Sequence, residues 1–393
     1  AALGTLGEHL LPGGEVHQAF AGTPIGPNEG VLVTIMLYGG NDGLNTVVPY
    51  GDGRYYDVRP RIAIPAEQVL RLDGMVGLHP NLTFTKSLYD AGQVAVVQGV
   101  GYPNPDLSHF TSMGIWMHGR YGGSPTSGWL GRWLDGLPAN KADLAIASVG
   151  TSVPLHLVGQ TRRAVGIPED GSMFGTETEP HDLRMYDGLR AMSAPAGRGP
   201  WHDMYSTALR MQLDLADDVS AVFDTPVSGG EIVRKLTVAA RLINADVGLR
   251  VVDVGFGSFD THDGQGWRHG DLMRQLDLGL AAFYATLDPQ RREQVTLMTM
   301  SEFGRTSYGN DSSGTDHGTA APHFVIGSRV RGGLYGQHPS LANLNQWDRL
   351  EHHVDFRSLY GTVIDGWLGG GASTVLGGGY EPLGLFAGGP RPG

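Results

Sequence analysis

Short, continuous apolar runs constrain the fold of this chain more than any other feature of its sequence. The longest is Val31-Leu-Val-Thr-Ile-Met-Leu, and further runs begin at Gln93, Leu249, Gln294 and His323. Runs of this kind are typical of strands that are buried on both faces. Amphipathic helical patterns lie between them, so the sequence predicts an α/β fold with a mainly parallel central sheet and helices on both faces.

The chain has 393 residues, which is enough for one large domain or two ordinary ones. Residues 1–29 are rich in Gly and Pro and are predicted to form an N-terminal arm, and residues 30–393 are predicted to form a single domain. The stretch at about 160–200 is polar and poorly periodic. We therefore predict an irregular insertion there that borders the functional site and shapes access to it.

Two local patterns predict the bounds of individual elements. Residues 143–150 and 153–159 are predicted to be two strands that are joined by a turn. Residues 228–246 are predicted to be a helix, and Ser228 and Glu231 have the spacing of a capping box at its start.

Charge and composition exclude several classes of protein. The formal net charge is −12 and no basic run is present, which argues against a surface for nucleic acid or anionic membrane. No apolar stretch approaches the roughly 20 residues that span a bilayer, so no transmembrane segment is predicted. Cysteine is absent, which excludes thiolate metal sites and cysteine nucleophiles. The chain begins at Ala1, as we expect of a processed N-terminus.

Carboxylates, imidazoles and other polar groups gather around the predicted ends of the apolar runs. Because functional groups in such folds collect at the carboxyl ends of the strands, we expect them to share one edge of the sheet. Without thiolates, they match the ligands of Zn, Mn, Mg or Ca, so a site for a divalent metal ion is predicted. The groups are Asn41 and Asp42 after the first run, Asp260, His262 and Asp263 after the third, Glu302 and Arg305 after the fourth, and Asp316 and His317 just before the fifth.

Each of these groups also has a simpler interpretation. Asp42 lies in a Gly-rich turn and is compatible with a turn former, and His262 is compatible with a loop histidine that bonds only to its neighbours. Glu302 and Arg305 are compatible with a buried ion pair. Asp316 and His317 are the stronger signal, because the glycines beside them allow the backbone to approach an ion closely.

A serine and a histidine stand at the start of another predicted helix. Ser108 is either the N-cap of this helix or a nucleophile whose developing charge is stabilised by the helix N-terminus. His109 is either a metal ligand or a base, and a displacement of one position would make it the inward-facing residue in place of Ser108.

The motifs together resemble a family of exported bacterial proteins of unassigned function, usually made with a twin-arginine signal peptide, within the alkaline phosphatase-like superfamily. The resemblance runs from residue 31 to about residue 370. The segments that carry it are GGNDGLNTVVPY at 39–50, SHF at 108–110, GWLGR at 128–132, FDTHDGQ at 259–265, SEFGRT at 301–306 and GTDHG at 314–318.

The resemblance implies roles for particular residues. It implies that Ser108 is the nucleophile. It also implies that the protein is exported and that six of its residues bind one or two divalent metal ions. The six are Asp42, Asp260, His262, Glu302, Asp316 and His317. Phe303 stands where the superfamily has a metal-binding His, which puts a standard two-zinc site in doubt. The Ser-x-Pro-x-Arg motif of sulfatases is absent from the sequence, so a sulfatase is not expected.

These observations predict a secreted, metal-dependent hydrolase or transferase that acts on a phosphate ester or similar oxyanionic ester. Metal would activate Ser108 or a water, and Asn41 or Arg305 would bind the non-reacting oxygens. The substrate would be a small molecule or a glycan or lipid ester. Two alternatives stay open, namely a non-catalytic binding protein that holds a structural ion or a glycan, and a hydrolase of other esters.

Overall fold

The computed structural model describes residues 24–122, 125–138, 144–150, 152–162, 164–172, 175, 177–193, 199–345 and 347–387. The predicted N-terminal arm therefore lies outside the described residues except for residues 24–29. Several positions of the predicted insertion at 160–200 also lie outside them.

Twelve strands are present in this part of the chain. They are β1 (Val31–Tyr38), β2 (Val47–Val48), β3 (Leu70–Arg71), β4 (Gly77–Leu78), β5 (Val94–Gly101), β6 (Ile146–Val149), β7 (Val165–Ile167), β8 (Val251–Gly257), β9 (Val295–Met300), β10 (Ala321–Ile326), β11 (Gly333–Gly336) and β12 (Val354–Asp355). Nine of them form the central sheet in the order β11-β5-β10-β9-β1-β8-β6-β7, and β12 pairs with β5. The other three form a small sheet in the order β2-β4-β3.

The helices lie between these strands. They are α1 (Gly43–Thr46), α2 (Gly53–Val58), α3 (Thr83–Asp90), α4 (His109–His118), α5 (Trp129–Asp135), α6 (Pro180–Met192), α7 (Pro200–Val219), α8 (Glu231–Asn244), α9 (Gln265–Thr286), α10 (Phe356–Val363) and α11 (Ala372–Leu376), with a π-helical turn at Ile364–Leu368. No helix among the described residues is long and apolar enough to cross a membrane.

The predicted fold class is confirmed. β1 pairs in parallel with β8 and β9, and β6 pairs in parallel with β7 and β8. Side chains of β1 alternate between two cores, with Val33 and Ile35 on one face and Leu32 and Met36 on the other. Residues of α8 and α9 complete the first core, and residues of α4, α5 and α10 complete the second, so helices cover both faces.

One long strand of the sheet runs against the others. β10 is antiparallel to both of its neighbours, β5 and β9. The start of β10 therefore lies at the edge where the parallel strands end. This direction brings the segment before β10 to the same edge as the segments that follow β1, β5, β8 and β9.

Some predicted bounds are wrong. Residues 153–159 do not form a strand, and a 3₁₀ helix occupies Leu155–Leu157. The N-cap of α8 is Gly230, and no side chain caps it, so the predicted capping box does not form. The insertion at 160–200 is not irregular throughout, because it contains β7 and α6.

Candidate metal centre

Four segments contribute side chains at the edge where the parallel strands end. The loop after β5 leads to His109, the first residue of α4, and the segment after β8 carries Asp260 and His262. The segment after β9 carries Arg305, and the segment before β10 carries His317. Arg305 and His317 form an isolated backbone bridge, which joins the last two segments.

Asp260 is at the centre of the contacts. Its Oδ1 lies 2.5 Å from Arg305 Nη2, 2.9 Å from His262 Nε2 and 3.4 Å from His317 Nε2. Its Oδ2 lies 3.5 Å from His109 Nε2. Burial acts to raise the pKa of Asp260, but the hydrogen bond and charge of Arg305 outweigh it and hold the pKa below its ordinary value. Asp260 is therefore a carboxylate at neutral pH.

The His109 ring is fixed by a buried carboxylate. Its Nδ1 lies 2.8 Å from Glu302 Oε1, which also accepts the backbone N–H of Gly39 at 2.9 Å. A carboxylate only accepts, so Nδ1 is the donor, and the neutral ring has its lone pair on Nε2. Nε2 is buried and has no hydrogen-bond partner among the described residues. In the neutral form of the ring, His109 Nε2 and Asp260 Oδ2 are therefore two acceptors that face each other.

The other two histidines are fixed in the same way. His317 Nδ1 donates to the carbonyl of Leu107 at 2.6 Å, which leaves the lone pair of Nε2 on the side of Asp260. Burial lowers the pKa of His317 despite this hydrogen bond, which favours the neutral ring. His262 Nδ1 lies 2.9 Å from Asp316 Oδ1. All three rings therefore direct Nε2 towards one region.

His109, Asp260 and His317 form a possible metal site, because one ligand atom of each lies within 4.8 Å of the other two. Ligand atoms of a tetrahedral zinc ion are about 3.4 Å apart, given metal–nitrogen bonds of about 2.1 Å. The separation of 3.5 Å between His109 Nε2 and Asp260 Oδ2 is close to this spacing, and His317 Nε2 lies 3.4 Å from the other oxygen of the same carboxylate, Oδ1. Two imidazoles and one carboxylate suit Zn, Mn or Fe.

Phe303 forms an apolar wall beside this group. Its ring centroid is 4.9 Å from that of His109 and 4.9 Å from that of His317, and the ring is fully buried. Phe303 stands where the resemblance places a metal-binding His, and its ring thus packs against His109 and His317.

Asp42 does not join the group, and its predicted role as a ligand needs correction. Its Oδ2 is 2.6 Å from Arg59 Nη1 and also accepts from Gln265 Nε2, and its Oδ1 accepts from the backbone N–H of Leu44. The Asp42 and Arg59 side chains are both buried. The positive charge beside Asp42 is therefore the guanidinium of Arg59.

Glu302 and Asp316 are also corrected, from ligands to partners of ligand-type side chains. Glu302 holds His109, and its second oxygen accepts from Ser301 Oγ at 3.3 Å. Asp316 holds His262. Carboxylates in this position orient metal-bound imidazoles and raise their basicity.

The two predicted substrate-binding residues are buried among protein groups. Arg305 donates from Nε to the carbonyl of Gly40 at 2.8 Å and from Nη1 to the carbonyl of Thr315 at 3.1 Å, in addition to its bond with Asp260. Asn41 Oδ1 lies 3.0 Å from His269 Nε2. Both side chains fix the loops around the site. Arg305 pairs with Asp260 and not with Glu302.

Ser108 is the N-cap residue of α4, but its side chain is exposed and makes no capping hydrogen bond. Its backbone N–H donates to Asp106 Oδ1 at 2.7 Å. The contacts with the cluster come from His109, so the geometry favours the displacement by one position. Under this displacement Ser108 is not the nucleophile, and the serine mechanism predicted from the sequence stays the alternative.

Two residues that support the site were missed in the sequence. Arg59 pairs with Asp42 and donates to the carbonyls of Thr306 and Ser307, and nothing in its local sequence indicates this. Gln265 is the last residue of the FDTHDGQ motif and links Asp42 to the loop before β10. The position of Gln265 beside the other polar groups was a usable signal.

The family described as "Protein of unknown function (DUF1501)" matches residues 91–364, well over half of the chain. The chain belongs to this family. No curated protein matches it. The DUF1501 match includes every member of the possible metal site, but the description of the family assigns no activity.

Solved structures with some similarity to this DUF1501 protein include Ps i-CgsB in complex with k-i-k-neocarrahexaose, at 11% identity over 90% of this chain and 73% of that one, with a TM-score of 0.38. A protein in the alkaline phosphatase superfamily from Vibrio parahaemolyticus has 8% identity over 79% and 63%, with a TM-score of 0.29. Thermus thermophilus alkaline phosphatase has 12% identity over 75% and 64%, with a TM-score of 0.27. Similarity at this level says nothing about substrate or mechanism.

Proposed function

We propose that this chain is a hydrolase of phosphate esters or similar oxyanionic esters and that it works with one divalent metal ion held by His109, Asp260 and His317. The proposal is carried by the geometry of His109 Nε2 and Asp260 Oδ2, which face each other 3.5 Å apart and are both acceptors when the ring is neutral. Two such acceptors repel each other unless a cation or a donor lies between them. The orientation of each histidine through Nδ1 adds to this support.

A divalent ion at this position supplies a Lewis acid and lowers the pKa of a bound water. Glu302 keeps the His109 ring in the orientation that such an ion needs, and Arg305 keeps Asp260 ionised. Three protein ligands leave open coordination positions, which is typical of catalytic zinc sites and not of structural ones.

We assign proton transfer to His262. Its side chain is 45% exposed, and its two ring nitrogens lie between carboxylates, 2.9 Å from Asp316 Oδ1 and 2.9 Å from Asp260 Oδ1. A carboxylate on Nδ1 orients an imidazole whose other nitrogen exchanges a proton with a reacting group. His262 is thus proposed as the general acid that protonates the leaving group.

Metal analysis of natively purified protein, followed by a substrate panel, tests the proposal. The panel is p-nitrophenyl phosphate, bis(p-nitrophenyl) phosphate, p-nitrophenyl phenylphosphonate and p-nitrophenyl acetate. We expect bound metal, turnover of a phosphorus ester, loss of turnover after chelation and recovery on readdition of the metal. The variant His181→Ala changes an exposed histidine of α6, so it should retain both metal and turnover and serves as the control. Metal-bound protein that turns over no ester would favour the binding-protein alternative, and protein that retains no metal would contradict the proposal.

We further propose that the protein acts outside the cytoplasm. The support is the resemblance of its motifs to those of exported proteins. Fractionation of cells that express the complete gene tests this, and recovery of the protein only in the cytoplasmic fraction would contradict it.

A further inference from the structure

Four exposed aromatic side chains, Phe110, Trp267, Tyr308 and Trp347, lie on segments that carry or support the candidate metal centre, and we call them the aromatic rim. Their exposed fractions are 93%, 74%, 38% and 43%. Large aromatic side chains bury 150–250 Å² each when they find a partner, so their exposure on several neighbouring segments indicates a binding surface.

Two members stand at the starts of helices that begin at the site. Phe110 directly follows His109, so their Cα atoms are about 3.8 Å apart. Trp267 is in the first turn of α9, which begins immediately after the segment that carries Asp260 and His262. The indole of Trp267 lies against Gly264, which has a φ of +48° and leaves no room for a Cβ beside Trp267 Nε1.

The other two members are connected to the site through hydrogen bonds. The Trp347 carbonyl accepts from Arg349 Nη1 at 2.9 Å, and Arg349 Nε donates to the carbonyl of His317 at 2.7 Å. The Tyr308 carbonyl accepts from Thr306 Oγ1 at 2.9 Å. Thr306 is in turn bonded through its backbone N–H to the segment that carries His317.

Polar side chains lie on the same segments as the aromatic rim. Asp263 and Arg268 form an ion pair beside Trp267, and Asn310 Nδ2 donates to the carbonyl of His262 at 2.9 Å. An acyl chain is bound by a continuous apolar surface, whereas these segments also carry charged and amide side chains. A sugar ring has apolar C–H faces that stack on aromatic rings and hydroxyl groups that bond to polar side chains. The presence of exposed aromatic rings and polar side chains on the same segments favours the sugar ring.

We propose that the aromatic rim binds sugar rings, so that the substrate of the metal centre is an ester carried by a glycan. This inference rests on the proposed function. Phe110 and Trp267 hold the sugar nearest to the reacting group, because they are adjacent to the segments that carry His109 and Asp260. Trp347 and Tyr308 extend the surface along the loop before β10.

Affinity electrophoresis of the purified protein in gels that contain dextran, xylan, alginate or carrageenan tests the inference. At least one polysaccharide should retard the protein. Phe110→Ala and Trp267→Ala should each weaken the apparent affinity at least tenfold while metal content stays unchanged. The matched control is Trp201→Ala, because Trp201 is 79% exposed but belongs to α7, which carries no residue of the candidate metal centre.

Three outcomes would overturn the inference. The first is that none of the four polysaccharides retards the protein. The second is that the Trp267→Ala variant is retarded as strongly as the unchanged protein. The third is that the protein cosediments with dioleoylphosphatidic acid vesicles and that the rim substitutions abolish this cosedimentation. Failure of the proposed function has a different signature, since the protein would then be retarded normally but would hydrolyse neither p-nitrophenyl phosphate nor bis(p-nitrophenyl) phosphate.

Discussion

At the residue scale, the loop after β5 presents one side chain to the site and one to solvent. His109 contacts Glu302, Asp260, Phe303 and His317, whereas the Ser108 side chain is exposed. A helix start turns successive side chains by about 100°. A shift of one residue therefore decides which of the two faces the cluster.

His109→Ala should remove the metal, and Ser108→Ala should leave both metal and turnover in place. The first change deletes a ligand and leaves Glu302 buried without its partner. The second deletes a hydroxyl that makes no capping bond and should change the free energy of unfolding by less than about 0.5 kcal/mol. Inductively coupled plasma mass spectrometry and steady-state kinetics measure the two effects. A metal-bound Ser108→Ala variant without turnover would restore the serine mechanism.

The pair of Asp42 and Arg59 should contribute to stability and not to metal binding. Arg59→Met leaves a buried carboxylate without its cation and should lower the free energy of unfolding by about 3–5 kcal/mol. Urea denaturation measures this, and the exposed pair of Lys86 and Asp90 provides the control variant Lys86→Met. A small effect of Arg59→Met, accompanied by loss of bound metal, would place Asp42 back among the ligands.

Buried histidines should make the fold sensitive to acid. Burial lowers the pKa of His269 to about 4 and that of His323 to about 3, whereas the unfolded chain has values near about 6.5. The unfolded state therefore binds more protons as pH falls below about 6.5, and each group removes up to about 1.4 kcal/mol of stability per pH unit until its folded pKa is reached. His323→Leu should reduce this slope in urea denaturation between about pH 6.5 and 4, and an unchanged slope would contradict the assignment.

At the scale of elements, the direction of β10 decides whether the last two polar groups join the site. Asp316 and His317 precede a strand, and in a wholly parallel sheet the start of a strand lies at the opposite edge. The sequence indicated that His323 begins a buried strand but gave no signal for its direction. Alternating and continuous apolar patterns report burial and are insensitive to strand polarity.

The predicted bounds of the strands are correct where the side chains are regularly buried. They are wrong where specific hydrogen bonds determine the backbone conformation. The runs after Gln93 and Gln294 became β5 and β9 because nearly every side chain there is buried. Residues 153–159 look equally apolar, but Pro154 precedes a 3₁₀ turn that buries His156 against Asp253. This long-range contact has no signature in the neighbouring sequence.

Close packing between two loops predicts an effect of Gly314. A Cβ at this position would lie 2.2 Å from the backbone of His262. Gly314→Ala should therefore push apart the segments that carry His262 and His317 and weaken metal binding by about 10–100-fold. Gly266→Ala is the control, because a Cβ there meets no atom within 4 Å. Metal-competition titrations compare the two variants, and equal affinities would show that the loops tolerate the displacement.

At the scale of the whole molecule, the sheet gathers side chains that are far apart in sequence. His109, Asp260 and His317 come from the ends of β5 and β8 and the start of β10. The rule that polar groups collect at the carboxyl edge of a parallel sheet predicts the convergence of His109 and Asp260, whereas the position of His317 depends on the antiparallel direction of β10. The rule could not separate ligands from their supports, because Asp42 and Asp260 both follow buried strands. What distinguishes them is Arg59, whose approach depends on the folded path of residues 47–59.

The central claim is that one metal ion is bound by His109, Asp260 and His317, and anomalous diffraction from crystals grown with Zn²⁺ or Mn²⁺ tests it most directly. Data collected on both sides of the metal absorption edge should show one peak about 2.0–2.3 Å from His109 Nε2, Asp260 Oδ2 and His317 Nε2. Absence of a peak at these atoms, or a peak beside Asp42 instead, would contradict the claim.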